Sequence, residues 1–96
     1  MTEPRDADAD EAATHGRRRV LLAAGGEAAG SLARELRDAG HEVVWVDVSL
    51  GAEALVRIAL QEDVDEVRVG AQAPSALLAA VRTRLETDGA ADVEVR

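Results

Sequence analysis

The 96-residue sequence contains no cysteine, lysine, tyrosine or phenylalanine, and Trp45 is its single aromatic residue. Without cysteine the chain has no disulfide, no thiolate nucleophile and no cysteine metal site. No apolar stretch approaches the roughly 20 residues that a membrane-spanning helix needs. The first residues are acidic and lack the apolar centre of a signal peptide. These absences predict a cytoplasmic protein that is not attached to a membrane.

Acidic residues outnumber arginines, and the formal net charge is −8. Residues 1–16 hold five acids against one arginine and so carry half of this charge. Because the remaining body is also acidic, it repels a phosphate backbone, and nucleic acid and anionic membranes are unfavourable partners. Residues 1–16 have no apolar periodicity, which predicts a disordered acidic lead-in that serves as a solubilising tail or a docking arm.

Residues 17–96 show the alternating patterns of a single α/β domain. Apolar or β-branched runs predict strands at residues 20–24, 42–48, 64–69 and 92–96. Helically spaced apolar residues predict a helix after each of the first three strands, with Ser49 capping the second and Pro74 in the first turn of the third. This alternation predicts a parallel sheet. Because a strand comes last, we expect an uncovered sheet face or strand edge, which favours a partner.

The glycines after the first strand raise the question of a bound anion. Gly25, Gly26 and Gly30 follow an apolar strand, and Asp47 ends the second strand where a ribose-binding acid would lie. The spacing differs from G-x-G-x-x-G, however, and Glu27 places a negative charge where a phosphate would bind. A P-loop is excluded because the sequence has no Gly-Lys-Ser/Thr. A receiver domain is excluded because the acidic residues that it needs after the first and third strands are missing.

Three stretches resemble the cobalamin-binding domain of methylmalonyl-CoA mutase and related acyl-CoA mutases, in the form of the small-subunit type. They read LARELRDAGHEVVWV, EALVRIALQEDVDEVRVG and LLAAVRTRLETDGAADVEV, and ALQEDVD at residues 59–65 is the most specific part. The resemblance covers residues 18–96. It implies a flavodoxin-like sheet of strand order 2-1-3-4, with cobalamin lying across the carboxyl ends of the strands.

The departures from that family fall where it binds cobalt. Its D-x-H-x-x-G motif supplies the lower histidine ligand, whereas this loop reads AAGGEAAG and only Gly30 matches. The family's serine-rich stretch after the third strand is replaced here by Gly70, Ala71 and Gln72. His15 and His41 lie away from these loops and are interpreted as incidental. If cobalamin is bound, the resemblance implies that it is lined by Gly25, Gly26, Glu27, Gly30, Gly70, Ala71 and Gln72.

Other polar and aromatic residues favour structural roles. Glu62, Asp63, Asp65 and Glu66 could act as acid–base groups or bind a cation, but a charge run before a strand favours a solvated turn. Trp45 is expected to pack beneath a helix, with a partly exposed anchor for a partner as the alternative.

The sequence therefore predicts a truncated flavodoxin-like α/β domain of about four strands and three helices, with no catalytic or metal-binding residues. Our leading hypothesis is a non-catalytic accessory or small subunit that has lost the histidine motif and acts by protein association. The exposed sheet face and the final strand would contact a mutase catalytic subunit, another protein or a second copy. The alternative is a cobalamin-binding module of an acyl-CoA mutase that binds the cofactor without a histidine from this chain.

Overall fold

The computed structural model describes residues 17–47, 49–70 and 73–96. Strands and helices alternate in the order β1 (Arg19–Ala23), α1 (Gly26–Asp38), β2 (Glu42–Val46), α2 (Ala52–Gln61), β3 (Glu66–Val69), α3 (Ser75–Thr87) and β4 (Glu94–Val95). Every strand pairs in parallel, and the sheet order is β2-β1-β3-β4. The predicted flavodoxin-like sheet and its strand order are confirmed. The acidic lead-in at residues 1–16 lies outside the described residues.

The larger core lies on the side of the sheet that α2 and α3 cover. Alternate side chains of a strand point to opposite faces, so Leu21 and Ala23 of β1 share this side with Val67 of β3. The helices add buried residues at helical spacing, namely Leu55, Val56, Ala59, Val81 and Leu85. This core attaches two helices to the sheet.

The other face carries a smaller core beneath α1. Its buried members are Leu22, Ala24, Ala29 and Ala33, with Leu32 and Val43 packed at its margin. The two alanines of α1 let the helix approach the sheet closely but bury little apolar area. Leu22 is the one large side chain among the buried members of this cluster.

Helix α1 covers only the β2–β1 half of its face. On the β3–β4 half, the same strand alternation places Glu66, Arg68, Glu94 and Arg96 on this face. Among the described residues no helix packs over these side chains, since the apolar faces of α2 and α3 belong to the opposite core. This matches the expectation of an uncovered sheet face.

Several predicted boundaries are wrong by a few residues. Ser49 does not cap α2, whose N-cap is Gly51; instead the Ser49 backbone N–H donates to Asp47 Oδ1 at 2.8 Å. Pro74 is the N-cap of α3 and lies just outside the helix. Strand β4 is only two residues long. None of the helices in the described ranges is long and apolar enough to cross a bilayer.

Candidate functional site

The loops at the carboxyl ends of β1 and β3 meet where the cofactor residues were predicted. Gly25 is the N-cap of α1, and Gly26 begins the helix with a φ of +81°. The Gly70 N–H donates to the Ala23 carbonyl at 2.9 Å, and a Cβ at Gly70 would lie only 3.1 Å from Ala24 Cβ. The structure thus brings the two halves of the predicted site together. Ala71 and Gln72 lie outside the described residues.

Trp45 lies beside these loops, in contact with α1 but only partly covered by it. Its indole Nε1 donates to the Ala24 carbonyl at 2.9 Å, and its Cη2 is 3.8 Å from the position of a Cβ at Gly30. The side chain contacts α1 but remains 44% exposed, so the expected packing beneath a helix holds only in part, and the alternative of a partly exposed side chain describes it better. The sequence pattern missed this because β2 is an edge strand, where a mid-strand residue is covered on one side only.

The described residues of this edge do not fit a cobalt-ligating site. A lower histidine ligand to cobalt would require an imidazole here, but His41 precedes β2 at the amino-terminal ends of the strands, where its Nδ1 accepts the Arg18 N–H at 3.1 Å. Glu27 adds a carboxylate to the first turn of α1. Within the residues that the structure describes, no group of three metal-ligating side chains assembles.

Two of the predicted site glycines are expected to respond in opposite ways to alanine. Gly26→Ala is expected to lower the free energy of unfolding by about 1–2 kcal/mol, because its positive φ strains an L residue. Gly30→Ala is expected to raise it by about 0.5–1 kcal/mol, because alanine favours a helix interior and its Cβ would meet Trp45 at an ordinary contact distance.

Urea unfolding followed by Trp45 fluorescence and by circular dichroism measures both changes. Equal losses of stability in the two variants would contradict the structure, in which a Cβ at Gly30 meets no steric clash.

A cluster of five charged side chains occupies the open half of the sheet, and we call it the Arg–Glu cluster. Its members are Arg18, Glu66, Arg68, Glu94 and Arg96. Glu66 lies at its centre with a side chain only 3% exposed. Its Oε2 is 2.8 Å from Arg68 Nη2 and 3.0 Å from Arg96 Nε, and its Oε1 is 3.6 Å from Arg18 Nη1. These ion pairs hold the arginine side chains in place around a buried carboxylate.

The second carboxylate of the cluster lies next to the first. Glu94 is the register partner of Glu66, so two like charges stand side by side on neighbouring strands. Such a pair is unfavourable unless cations separate it. Arg18 Nη1 contacts Glu94 at 2.6 Å, and Arg96 Nη2 contacts it at 3.2 Å. The arginines therefore hold the two strands together at this point.

These contacts overturn one prediction about the acidic turn. Glu66 was expected to be solvated with Glu62, Asp63 and Asp65, but it is buried under arginine side chains on β3. The sequence did hold a signal, since Glu-Val-Arg occurs both at residues 66–68 and at residues 94–96. With β3 and β4 as register-matched neighbours, this repeat sets carboxylate beside carboxylate and guanidinium beside guanidinium.

Acid is expected to destabilise the protein through Glu94. The hydrogen bond from Arg18 lowers the pKa of Glu94 below its ordinary value of 4.5. A carboxyl with a lowered folded pKa adds stability above its unfolded pKa and loses it as the pH falls through the folded pKa. We therefore expect the unfolding midpoint in urea to fall as the pH is taken below 4.5.

Glu94→Gln should make that fall shallower, while Glu35→Gln on the exposed side of α1 should leave it unchanged. Identical acid profiles for Glu94→Gln and the wild type would exclude this carboxylate as a source of the loss.

The chain matches no protein-family model, and no curated protein is significantly similar to it. The resemblance to cobalamin-binding domains therefore rests on the residues quoted above.

Proposed function

We propose that this protein is a non-catalytic accessory subunit that acts by binding another protein through the Arg–Glu cluster. The observation that supports this most is the arrangement of the cluster itself. A buried carboxylate, Glu66, orients three guanidinium groups on a half of the sheet that no described helix covers.

The chemistry of the cluster favours a partner that presents carboxylates. Its three arginines and two glutamates leave one positive charge in excess, on a chain whose net charge is −8. A guanidinium has five N–H donors, and the contacts to Glu66 and Glu94 occupy only part of that capacity. Because the glutamates already fix the arginine side chains, less conformational entropy is lost when a carboxylate binds. An acidic segment of a partner subunit is the ligand that this surface fits.

The test compares two double variants that remove the same charge. Arg68→Gln with Arg96→Gln weakens the cluster, whereas Arg34→Gln with Arg57→Gln removes two exposed arginines from α1 and α2. Tagged full-length proteins are used to purify complexes from the source cells. The retained protein is then identified, produced separately and recombined with each variant. We expect the Arg34→Gln, Arg57→Gln variant to form a complex of defined mass by light scattering. The Arg68→Gln, Arg96→Gln variant is expected to bind the same partner at least tenfold more weakly.

Equal binding by the two double variants would overturn the role of the cluster. Circular dichroism of each variant shows whether a loss of binding is instead a loss of fold.

The cobalamin alternative can be tested on the protein alone, because the two proposals predict opposite results when cobalamin is added. Trp45 contacts Ala24 at the edge where the cofactor would lie, and it is the only aromatic fluorophore of the chain. Titration with hydroxocobalamin and adenosylcobalamin should leave its fluorescence free of saturable quenching, and the visible spectra of the cobalamins unchanged. Saturable quenching at a one-to-one ratio would replace the accessory-subunit proposal with that of a cobalamin-binding mutase module.

A further inference from the structure

The free side of β2 is the longest exposed strand edge among the described residues. Strand β2 pairs with β1 only and runs for five residues, Glu42–Val46. The ladder to β1 uses alternate residues from Glu42, whose N–H donates to the Arg18 carbonyl at 2.9 Å. The backbone groups of Val43 and Trp45 therefore point away from the sheet. Edge strands of this kind, without proline or lysine, are ready to pair with another strand.

The outer strand on the other side of the sheet, β4, offers fewer free backbone groups. Strand β4 has two residues, and Arg82 Nη2 donates to the outward-facing carbonyl of Val95 at 3.0 Å. The prediction that the final strand supplies the contact edge therefore fits the structure less well than pairing through β2.

We propose that two copies of this chain pair along β2 as antiparallel strands, in a register centred on Val44. In that register Val43 and Trp45 of one copy face Trp45 and Val43 of the other, and each facing pair exchanges two backbone hydrogen bonds. The two four-stranded sheets then join into one continuous sheet. This dimer uses a different part of the molecule from the Arg–Glu cluster, so either proposal can fail without the other.

The sequence of β2 suits a second copy because it is complementary to itself about Val44. Each exposed Trp45 meets a half-buried Val43 on the same face, which is a favourable aromatic and β-branched pair. Val44 meets its own counterpart on the opposite face. At the strand ends His41 stands opposite Asp47, and Glu42 stands opposite Val46. No two acids face each other, although each chain carries a net charge of −8.

The effect of salt distinguishes this dimer from an association that depends on opposite charges. Two chains of net charge −8 repel each other, and added salt screens that repulsion. We expect sedimentation equilibrium of the full chain to show a dimer of 10.1 kDa protomers whose dissociation constant falls as sodium chloride is raised. Association through the Arg–Glu cluster would weaken under the same conditions.

Cysteine substitution tests the register, since the chain has no cysteine of its own. Val44→Cys places two thiols across the symmetry axis at a non-hydrogen-bonded pair, where Cα atoms lie about 4.5 Å apart and a disulfide can form. Val46→Cys is the matched control, because it lies on the same face of β2 but four residues from its counterpart in this register. We expect mild oxidation to cross-link Val44→Cys at least tenfold faster than Val46→Cys.

Val43→Pro removes an outward N–H from the interface and is tolerated at a free strand edge. It is expected to raise the dissociation constant about tenfold or more while leaving the circular dichroism spectrum unchanged. A wild-type chain that stays monomeric at millimolar concentration in high salt would overturn the proposal. Equal cross-linking of the two cysteine variants, or a dimer unaffected by Val43→Pro, would also overturn it.

Discussion

Replacing Glu66 with glutamine is expected to lower the free energy of unfolding by about 2–3 kcal/mol, because three arginines lose the carboxylate that they share. Removing one partner from a buried ion pair costs about 3–5 kcal/mol when the remaining charge stays buried. We expect less here, since the Arg96 side chain is 54% exposed and can recover water. The amide would also bring a hydrogen-bond donor against guanidinium donors.

Urea unfolding at pH 7 measures this loss, and Glu62→Gln provides the matched control. Glu62 belongs to the same acidic stretch, but its side chain is exposed, so its replacement should change the free energy by less than about 0.5 kcal/mol. If Glu66→Gln proved as stable as the control, the buried carboxylate would not be holding the cluster. The surface proposed for partner binding would then lose its physical basis.

Replacing Leu22 with alanine is expected to cost about 3 kcal/mol and to loosen α1 from the sheet. Leu22 is fully buried, and the other buried members of its cluster are Ala24, Ala29 and Ala33. Truncating a buried leucine costs about 2–5 kcal/mol, through lost apolar burial and the cavity that remains. Alanines cannot fill that cavity, because their side chains have no rotamers through which to move.

Leu60→Ala removes the same atoms from a residue that is 44% exposed, and it should cost less than about 1 kcal/mol. Hydrogen exchange then shows where Leu22→Ala acts, since the amides of α1 should lose protection before those of α2 and α3. Uniform loss of protection across the three helices would indicate that the two cores unfold as one unit. In that case the smaller core would not be the weaker part of the domain.

The loops at the carboxyl ends of β1 and β3 show which parts of the candidate site could be predicted from the sequence. Strand–glycine–helix patterning placed Gly25, Gly26 and Gly70 at one edge of the sheet, and the structure brings them together. No sequence pattern predicted that Trp45 would lie beside these glycines. Its hydrogen bond to Ala24 depends on β2 being the outer strand of the sheet next to β1. The role of Glu66 was missed for a related reason, since two of its arginine partners, Arg18 and Arg96, lie next to β1 and β4, far from Glu66 in the chain.

The sequence by itself determined the alternation of strands and helices, because apolar periodicity and helix-ending glycines act over a few residues. It also determined that the sheet is parallel, since helical crossovers leave a strand no other direction. Only the tertiary structure decided which half of the sheet stays open, where its charges converge and which edge is free. Those features depend on pairing between residues far apart in the chain, such as Glu66 and Glu94. The repeated Glu-Val-Arg is compatible with that register, but only the folded sheet makes the two strands neighbours.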